Sequence, residues 1–397
     1  MAHGDAPSGI LAGARERFEA STDFTVGIEE EYQLLDPATL ALTNRFEDLM
    51  AAAPEPLRDR LAGELIASEV EFRTGRHVTF ADAARELVEG RLATIALAER
   101  LGVAIGISGV HPFSPWQDQR IIDTPHYRRV ESELGYIAWT NNTWSLHLHV
   151  GVRGADRAVA VSTAMRSVLP ELLALSANSA VFAERVTRLH STRIQVFTRS
   201  FPRCGIPDAY RDWGEYARFV QLLEDTDSIV ESTQIWWSVR PHHTFGTVEV
   251  RICDGQTDMT EALAVASLAM SCIAAFAADL DAGRPVPVHQ RGLIEENVWR
   301  AERNGLTGGL IDLDTGVVRP TTRAIEELLE WTAPARRDLG LEPFLAHVPR
   351  MLSEGNGAMR QVARMAALGD VRAMHAEVVE RTRRSAEEAL EIWAAAA

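Results

Sequence analysis

Phe24-Thr-Val-Gly-Ile-Glu-Glu-Glu-Tyr-Gln-Leu-Leu35 alternates like a β-strand, yet it carries three consecutive carboxylates. Side chains on a strand point to opposite faces with period two. Gly27, Glu29, Glu31 and Gln33 therefore share one face, and Ile28, Glu30, Tyr32 and Leu34 share the other. Neighbouring carboxylates on one sheet face repel each other unless a cation lies between them or one is protonated. Hard divalent cations such as Mg²⁺ take oxygen ligands of this kind. An exposed acidic edge strand, charged against aggregation, would look the same in isolation. Other stretches of the chain favour the metal reading.

The segment 64–75 is again strand-like and acidic, with Glu69, Glu71 and Arg73 on one face. Thr143-Trp-Ser-Leu-His-Leu-His-Val-Gly151 places His147, His149 and Gly151 together, opposite Leu146, Leu148 and Val150. In the segment 247–252, Glu249 and Arg251 share a face. Ser191-Thr-Arg-Ile-Gln-Val-Phe197 is a further candidate strand, with Arg193 and Gln195 on one side. Charges buried on a sheet must be paired or must coordinate metal. If these strands are neighbours in one antiparallel sheet, a single concave face is lined by carboxylates, histidine and arginine. Such a face would hold cations, and the cations would hold phosphates.

Outward from these strands the pattern turns helical. Thr79-Phe-Ala-Asp82 opens a helix to about Arg100, with a stripe of Ala83, Leu87, Leu92, Ile95 and Ala96. The segment 102–110 reads as an apolar strand, and a short strand near 40–43 pairs back on the first. A helix from Asp156 to about Ser179 bends at Pro170, and the segment 262–278 reads as a buried core helix. The first 20 residues read as a flexible segment, residues 21–397 as one catalytic domain, and the part from about 317 as helical. The expected architecture is α+β, a mainly antiparallel sheet of about six strands flanked by helices.

The 397-residue chain is 46% hydrophobic, enough for a sizeable core, and its formal net charge of -16 argues against a nucleic-acid partner. A nucleotide substrate is still compatible, because a bound cation bridges acidic side chains to phosphate. The three cysteines match no zinc or disulfide spacing, which fits a reduced, cytoplasmic setting. No membrane association is expected. No P-loop and no dinucleotide fingerprint occurs.

Six segments in order carry a family resemblance. They are Gly27-Ile-Glu-Glu-Glu31, Glu69-Val-Glu-Phe-Arg-Thr-Gly75, Gly109-Val-His-Pro-Phe113, His147-Leu-His-Val-Gly-Val152, Leu175-Ser-Ala-Asn-Ser179 and Thr247-Val-Glu-Val-Arg251. Over about residues 22–380 the chain resembles the glutamate–cysteine ligase type 2 family, in its bacterial carboxylate–amine ligase branch. The resemblance implies a glutamine-synthetase-like fold, a curved antiparallel sheet whose concave face binds ATP and Mg²⁺ or Mn²⁺. It implies that Glu29, Glu31, Glu71, Glu249 and His149 hold metal, and that His149 and Arg251 contact the nucleotide. Arg251 and Arg193 would be catalytic, with Arg193 and Glu64 at the substrate. Glu30, Tyr32 and Glu69 would be packing or opposite-face residues.

The implied activity is ATP-dependent amide formation between small-molecule carboxylate and amine substrates, through an acyl phosphate, with glutamate–cysteine ligation as a weak activity. A homodimer is compatible with it. After Ser179 the chain departs from the family pattern over residues 180–190, a region expected to shape the substrate pocket, so glutamate and cysteine are not fixed as substrates. Two other readings use the same residues. A metal-dependent hydrolase would activate water without ATP, and a nucleotide-binding protein would lack turnover.

Overall fold

A computed structural model describes residues 9–396. Seven strands, numbered in chain order, build the central sheet: β1 Val26–Leu35, β2 Leu61–Ala62, β3 Glu69–Arg73, β4 Ala104–Gly106, β5 Ser145–Gly151, β6 Val239–His242 and β7 Thr247–Asp254. Six lie in the order β6–β7–β5–β1–β3–β2, and β4 pairs with residues 33–35 of β1. Every pairing in the sheet is antiparallel, as expected.

The register aligns the charged faces. Glu31 lies opposite Glu71, and Glu29 lies between Arg73 and His147. His149 lies between Gly27 and Glu249, and Glu249 faces Arg240 on β6. Because pairing preserves the side-chain period, all of these groups emerge on one side. A bulge in β7 between Val250 and Cys253 shifts the pairing there, next to Arg251.

The other side of the sheet is apolar. Ile28, Tyr32, Leu34, Val70, Phe72, Leu146, Leu148, Val150, Val248 and Val250 join one core with the helices behind them. Helix Phe80–Arg100 packs there at close range, because a Cβ at Gly90 would fall 1.9 Å from the Phe72 ring. Helix Met259–Asp281 is buried from Met259 to Ala277 and forms the centre of the helical layer. Glu30 is the one carboxylate β1 sends into this core, and Arg91 neutralises it. Arg91 Nε lies 3.1 Å from Glu30 Oε2, the Tyr32 hydroxyl donates to the same oxygen at 3.1 Å, and Arg91 also donates to the carbonyls of Gln256 and Thr257. Fully buried ion pairs persist when their remaining donors are satisfied in this way.

Several expectations are corrected. Ser191–Phe197 is not a strand. Residues Ile194–Thr198 form a single π-helical turn, and Ser179–Ser191 makes one isolated bridge. Its β-branched residues mimic a strand, but its polar groups bond the sheet's end instead: Ser191 Oγ donates to Asp254, and Arg193 to the carbonyls of Arg251 and Ile252. Such turns concentrate at functional sites. The bend near Pro170 is a 3₁₀ turn at Arg166–Val168, and Pro170 sits in the first turn of the next helix, where its missing N–H costs nothing. Of the N-terminal segment expected to be flexible, residues 1–8 lie outside the described residues. From Gly9 it is helical and packed, with Leu11, Ala14 and Phe18 buried. The segments 102–110 and 40–43 contract to the three-residue β4 and a single Leu35–Leu42 bridge. The C-terminal part begins with the short strand Val318–Pro320 and is helical from Thr321.

Glu171, in helix Leu169–Ser176, is buried with Oε2 unpartnered, and burial pushes its carboxyl up to about 7. The folded state therefore holds a proton that the unfolded state has lost above about 4.5, so this group weakens stability as pH rises from 4.5 through 7. Glu171→Gln should be more stable than the parent at pH 8, by on the order of 2–3 kcal/mol, and no more stable than the parent at pH 4. Thermal melts at both pH values check this; a gain at pH 4 equal to that at pH 8 would refute the ionisation account.

Candidate active site

The charged face of the sheet forms the floor of a cavity of about 380 Å³. Glu29, Glu31, Glu64, Glu71, His149, Arg193, Glu249 and Arg251 all line it, so each proposed site residue opens into one space. Glu29 and Glu249 are 220 positions apart in sequence; the shared neighbour is His149, whose Nε2 lies 3.3 Å from Glu29 and 3.7 Å from Glu249.

Half of the cavity is balanced in charge. Glu249, 1% exposed, meets Arg240 Nε at 2.5 Å and Arg251 at 2.5 Å. Burial would push its carboxyl up, but Arg240, Arg251 and His149 outweigh that and hold it well below the usual range. Glu29 follows the same logic: burial raises it, and the imidazoles of His149 and His147 bring it well below. In return, His149 is raised by Glu29 and Glu249 in spite of burial.

The other half carries a surplus of carboxylates. Glu31, Glu64, Glu69 and Glu71 converge there, and Arg73, 3.5 Å from Glu71, is half in solvent. Burial, then the facing carboxylates, push Glu69 and Glu71 well above the usual range. Burial and Glu31 push Glu64 to about 8. Four crowded carboxyls lacking enough counter-charge are the environment a hard cation relieves. Two groups of ligand atoms meet within 4.8 Å: Glu29 with His147 and Glu249, and Glu31 with Glu71 and His147. The donor set of carboxylate oxygens with one imidazole fits Mg²⁺ or Mn²⁺ and not a thiolate zinc site.

Three participants lie outside the ligand and substrate residues named from the sequence. His147 belongs to both ligand groups; its Nδ1 lies 3.2 Å from Glu29 and its Nε2 2.7 Å from the Ser145 hydroxyl. The i, i+2 histidine pair was its signal. Glu69 faces the cavity with Glu31 and Glu71, as period two places it and not in a packing role, because β3 runs without a bulge between positions 69 and 73. Arg240 braces Glu249 from β6, a pairing that no local pattern reveals. Glu64 lies in the turn between β2 and β3, not on a strand, and still reaches the cavity. Residues 180–190, expected to shape the substrate pocket, supply none of the lining. They form a small hairpin, Val181–Phe182 with Arg185–Val186, while Arg193, Phe197 and Phe201 form the wall instead.

The family model described as glutamate-cysteine ligase family 2 matches residues 25–385. A protein of Rubrobacter xylanophilus provisionally named glutamate–cysteine ligase 2-3 is 40% identical over 367 residues, spanning 92% of this chain and 99% of that one. A Sorangium cellulosum protein provisionally named glutamate–cysteine ligase 2 is 39% identical over 361 residues, with 90% and 96% covered. Among solved structures, glutamate–cysteine ligase of Francisella tularensis in complex with AMP superposes with TM-score 0.66 at 13% identity, covering 92% of this chain and 90% of that one. A bifunctional glutathione synthetase of Pasteurella multocida gives TM-score 0.66 at 13% identity, covering 94% and 53%. At such identity the likeness is one of fold, and the fold is the glutamine-synthetase-like one that the motifs imply. With the matched region taking in every strand of the acidic sheet, the chain belongs to glutamate–cysteine ligase family 2, a family of ligases that form carbon–nitrogen bonds.

Proposed function

We propose that this ligase is ATP-dependent and joins the carboxylate of one amino-acid-like substrate to the amine of another through an acyl phosphate. The observation that carries the reading is the split cavity, with a carboxylate surplus beside a balanced Glu249–Arg240–Arg251 cluster. The AMP complex of the Francisella enzyme supports nucleotide use. Glu29, Glu31, Glu71, Glu249 and His147 would hold Mg²⁺ or Mn²⁺, with His149 beside Glu29 and Glu249, and the cation would supply positive charge that screens the surplus carboxylates and favours an anionic substrate group.

A carboxylate is a poor acyl donor. Its oxygen attacks the γ-phosphorus, the bond to ADP breaks, and ADP leaves with the electron pair. The amine then attacks the acyl carbon, the carbon–oxygen bond to phosphate breaks, and the nitrogen loses a proton to water. Positioning and charge neutralisation supply most of the rate in such chemistry. Arg251 is suited to the phosphoryl group in transit. Glu249 fixes one end of its guanidinium, and its buried Nε has no partner. His242 and Phe245 stack at 4.5 Å and 13° beside His149, with Phe245 half in solvent at the cavity mouth, a flat face suited to a nucleobase.

Two outcomes follow. Nucleotide affinity should fall at least about tenfold in excess chelator and return with Mg²⁺, by calorimetric titration; unchanged affinity would break the cation bridge. Phe245→Ala should raise the KM for ATP about fivefold to fiftyfold with kcat nearly kept. ADP release against a panel of amino acids tests the function as a whole. Product formation needing metal but no ATP would turn the reading to a hydrolase.

A further inference from the structure

We infer that the wall Phe197–Phe201–Trp236 receives the side chain of the amine-bearing substrate, an α-amino acid whose apolar side chain is ring-sized, with its carboxylate on Arg193. This rests on the ligase reading above. Arg193 is 2% exposed and makes no ion pair among the described residues. Its terminal nitrogens donate to the carbonyls of Ile252 at 3.2 Å and Arg251 at 3.3 Å, and its buried Nε has no partner. The buried carboxylate of Asp254 feels the charge of Arg193 but makes no ion-pair contact with it, and the unpartnered Nε leaves a charged donor for an anionic ligand in the cavity that Arg193 lines.

The neighbours of Arg193 are rings in a continuous row. Its guanidinium lies 5.6 Å from the Phe197 centroid, Phe197 lies 4.6 Å from Phe201, and Phe201 lies 5.4 Å from Trp236. Arg203 closes the far end at 5.6 Å from Trp236. The sheet floor is acidic, so an apolar group gains by leaving water against this wall and loses over the floor. The acceptor amino acid keeps its carboxylate through the reaction and needs a cation to hold it. Arg193 hydrogen-bonds the backbone of Arg251, so an α-amine on the carbon next to that carboxylate stays close to the phosphoryl-handling side. A small thiol or hydrogen side chain would cover little of three rings, and a phenyl or isobutyl group covers much more.

The test titrates the full chain calorimetrically with L-phenylalanine, L-leucine, L-cysteine, glycine and 2-phenylethylamine, with and without Mg²⁺ and AMP-PNP. Phenylalanine and leucine should bind at least tenfold tighter than cysteine and glycine. 2-Phenylethylamine, which lacks the carboxylate, should bind at least tenfold weaker than phenylalanine. Phe201→Ala should collapse the phenylalanine-to-glycine ratio and leave AMP-PNP affinity within twofold. Phe201→Leu, which keeps apolar volume, should retain most of the ratio, which separates a lost contact from misfolding. Cysteine or glycine binding as tightly as phenylalanine, a ratio unmoved in Phe201→Ala, or no binding by any of the five overturns the proposal. Phenylalanine that binds as described, while no donor carboxylate in a panel supports ADP release with it, upholds the pocket and overturns the ligase reading.

Discussion

Glu31→Gln is expected to remove ATP-dependent ligation, by at least about a hundredfold in kcat/KM, while the protein folds normally. Glu31 accepts the backbone N–H of Ser145 and belongs to the ligand group with Glu71 and His147. A glutamine side chain keeps the shape and an acceptor oxygen, so the bridge from β1 to β5 survives. What disappears is one negative charge among Glu64, Glu69 and Glu71, whose carboxyls burial and mutual repulsion already push upward. Without metal the variant should therefore melt at or above the parent's temperature; with metal and nucleotide it should lose the parent's stabilisation, since binding to the native state alone stabilises it by mass action. Steady-state ADP release and paired melts with and without Mg²⁺ measure both halves. Retained activity, or a melt lowered in the metal-free state, would show that Glu31 is structural and not part of a cation site.

Arg251→Lys should lower kcat by about a hundredfold or more and change nucleotide affinity by less than about tenfold. Arg251 spends one terminal nitrogen on Glu249 at 2.5 Å, and its buried Nε has no partner. Lysine can keep the contact to Glu249 but lacks the planar fork that meets two oxygens at once. The charge is preserved, so loss of turnover would isolate geometry from electrostatics. Comparing kcat with the KM for ATP and with AMP-PNP binding reads the split; equal losses in binding and turnover would place Arg251 in ground-state nucleotide binding only.

The strands that carry the site were legible because a period of two acts within a few residues. Glu29 with Glu31, His147 with His149, and Glu249 with Arg251 each share a face for that reason alone, and the apolar alternates Ile28, Leu148 and Val250 mark the buried side. Legibility failed where side-chain bonding to distant groups overrides local propensity. The segment 191–197 has a strand's composition, yet Asp254 and the β7 carbonyls draw its hydroxyl and guanidinium groups into a π-helical turn. The N-terminal segment looked loose because six residues of helix mean little until Phe18 finds Trp213, 5.6 Å away across the fold.

Local alternation, the acidic and imidazole pairs, and the order of the motifs were enough to specify an antiparallel α+β ligase with a polar sheet face. Which pairs meet was not contained in any of them. Setting Glu31 opposite Glu71, Glu29 opposite His147 and His149 between Gly27 and Glu249 required a register between paired strands as much as about 120 residues apart. Register is a global property, fixed by burying one whole apolar face against Met259–Asp281 and its neighbours at once. The surplus of carboxylates is likewise a property of convergence. Each glutamate is unremarkable on its own strand, and only their shared burial raises their affinity for a proton or a cation.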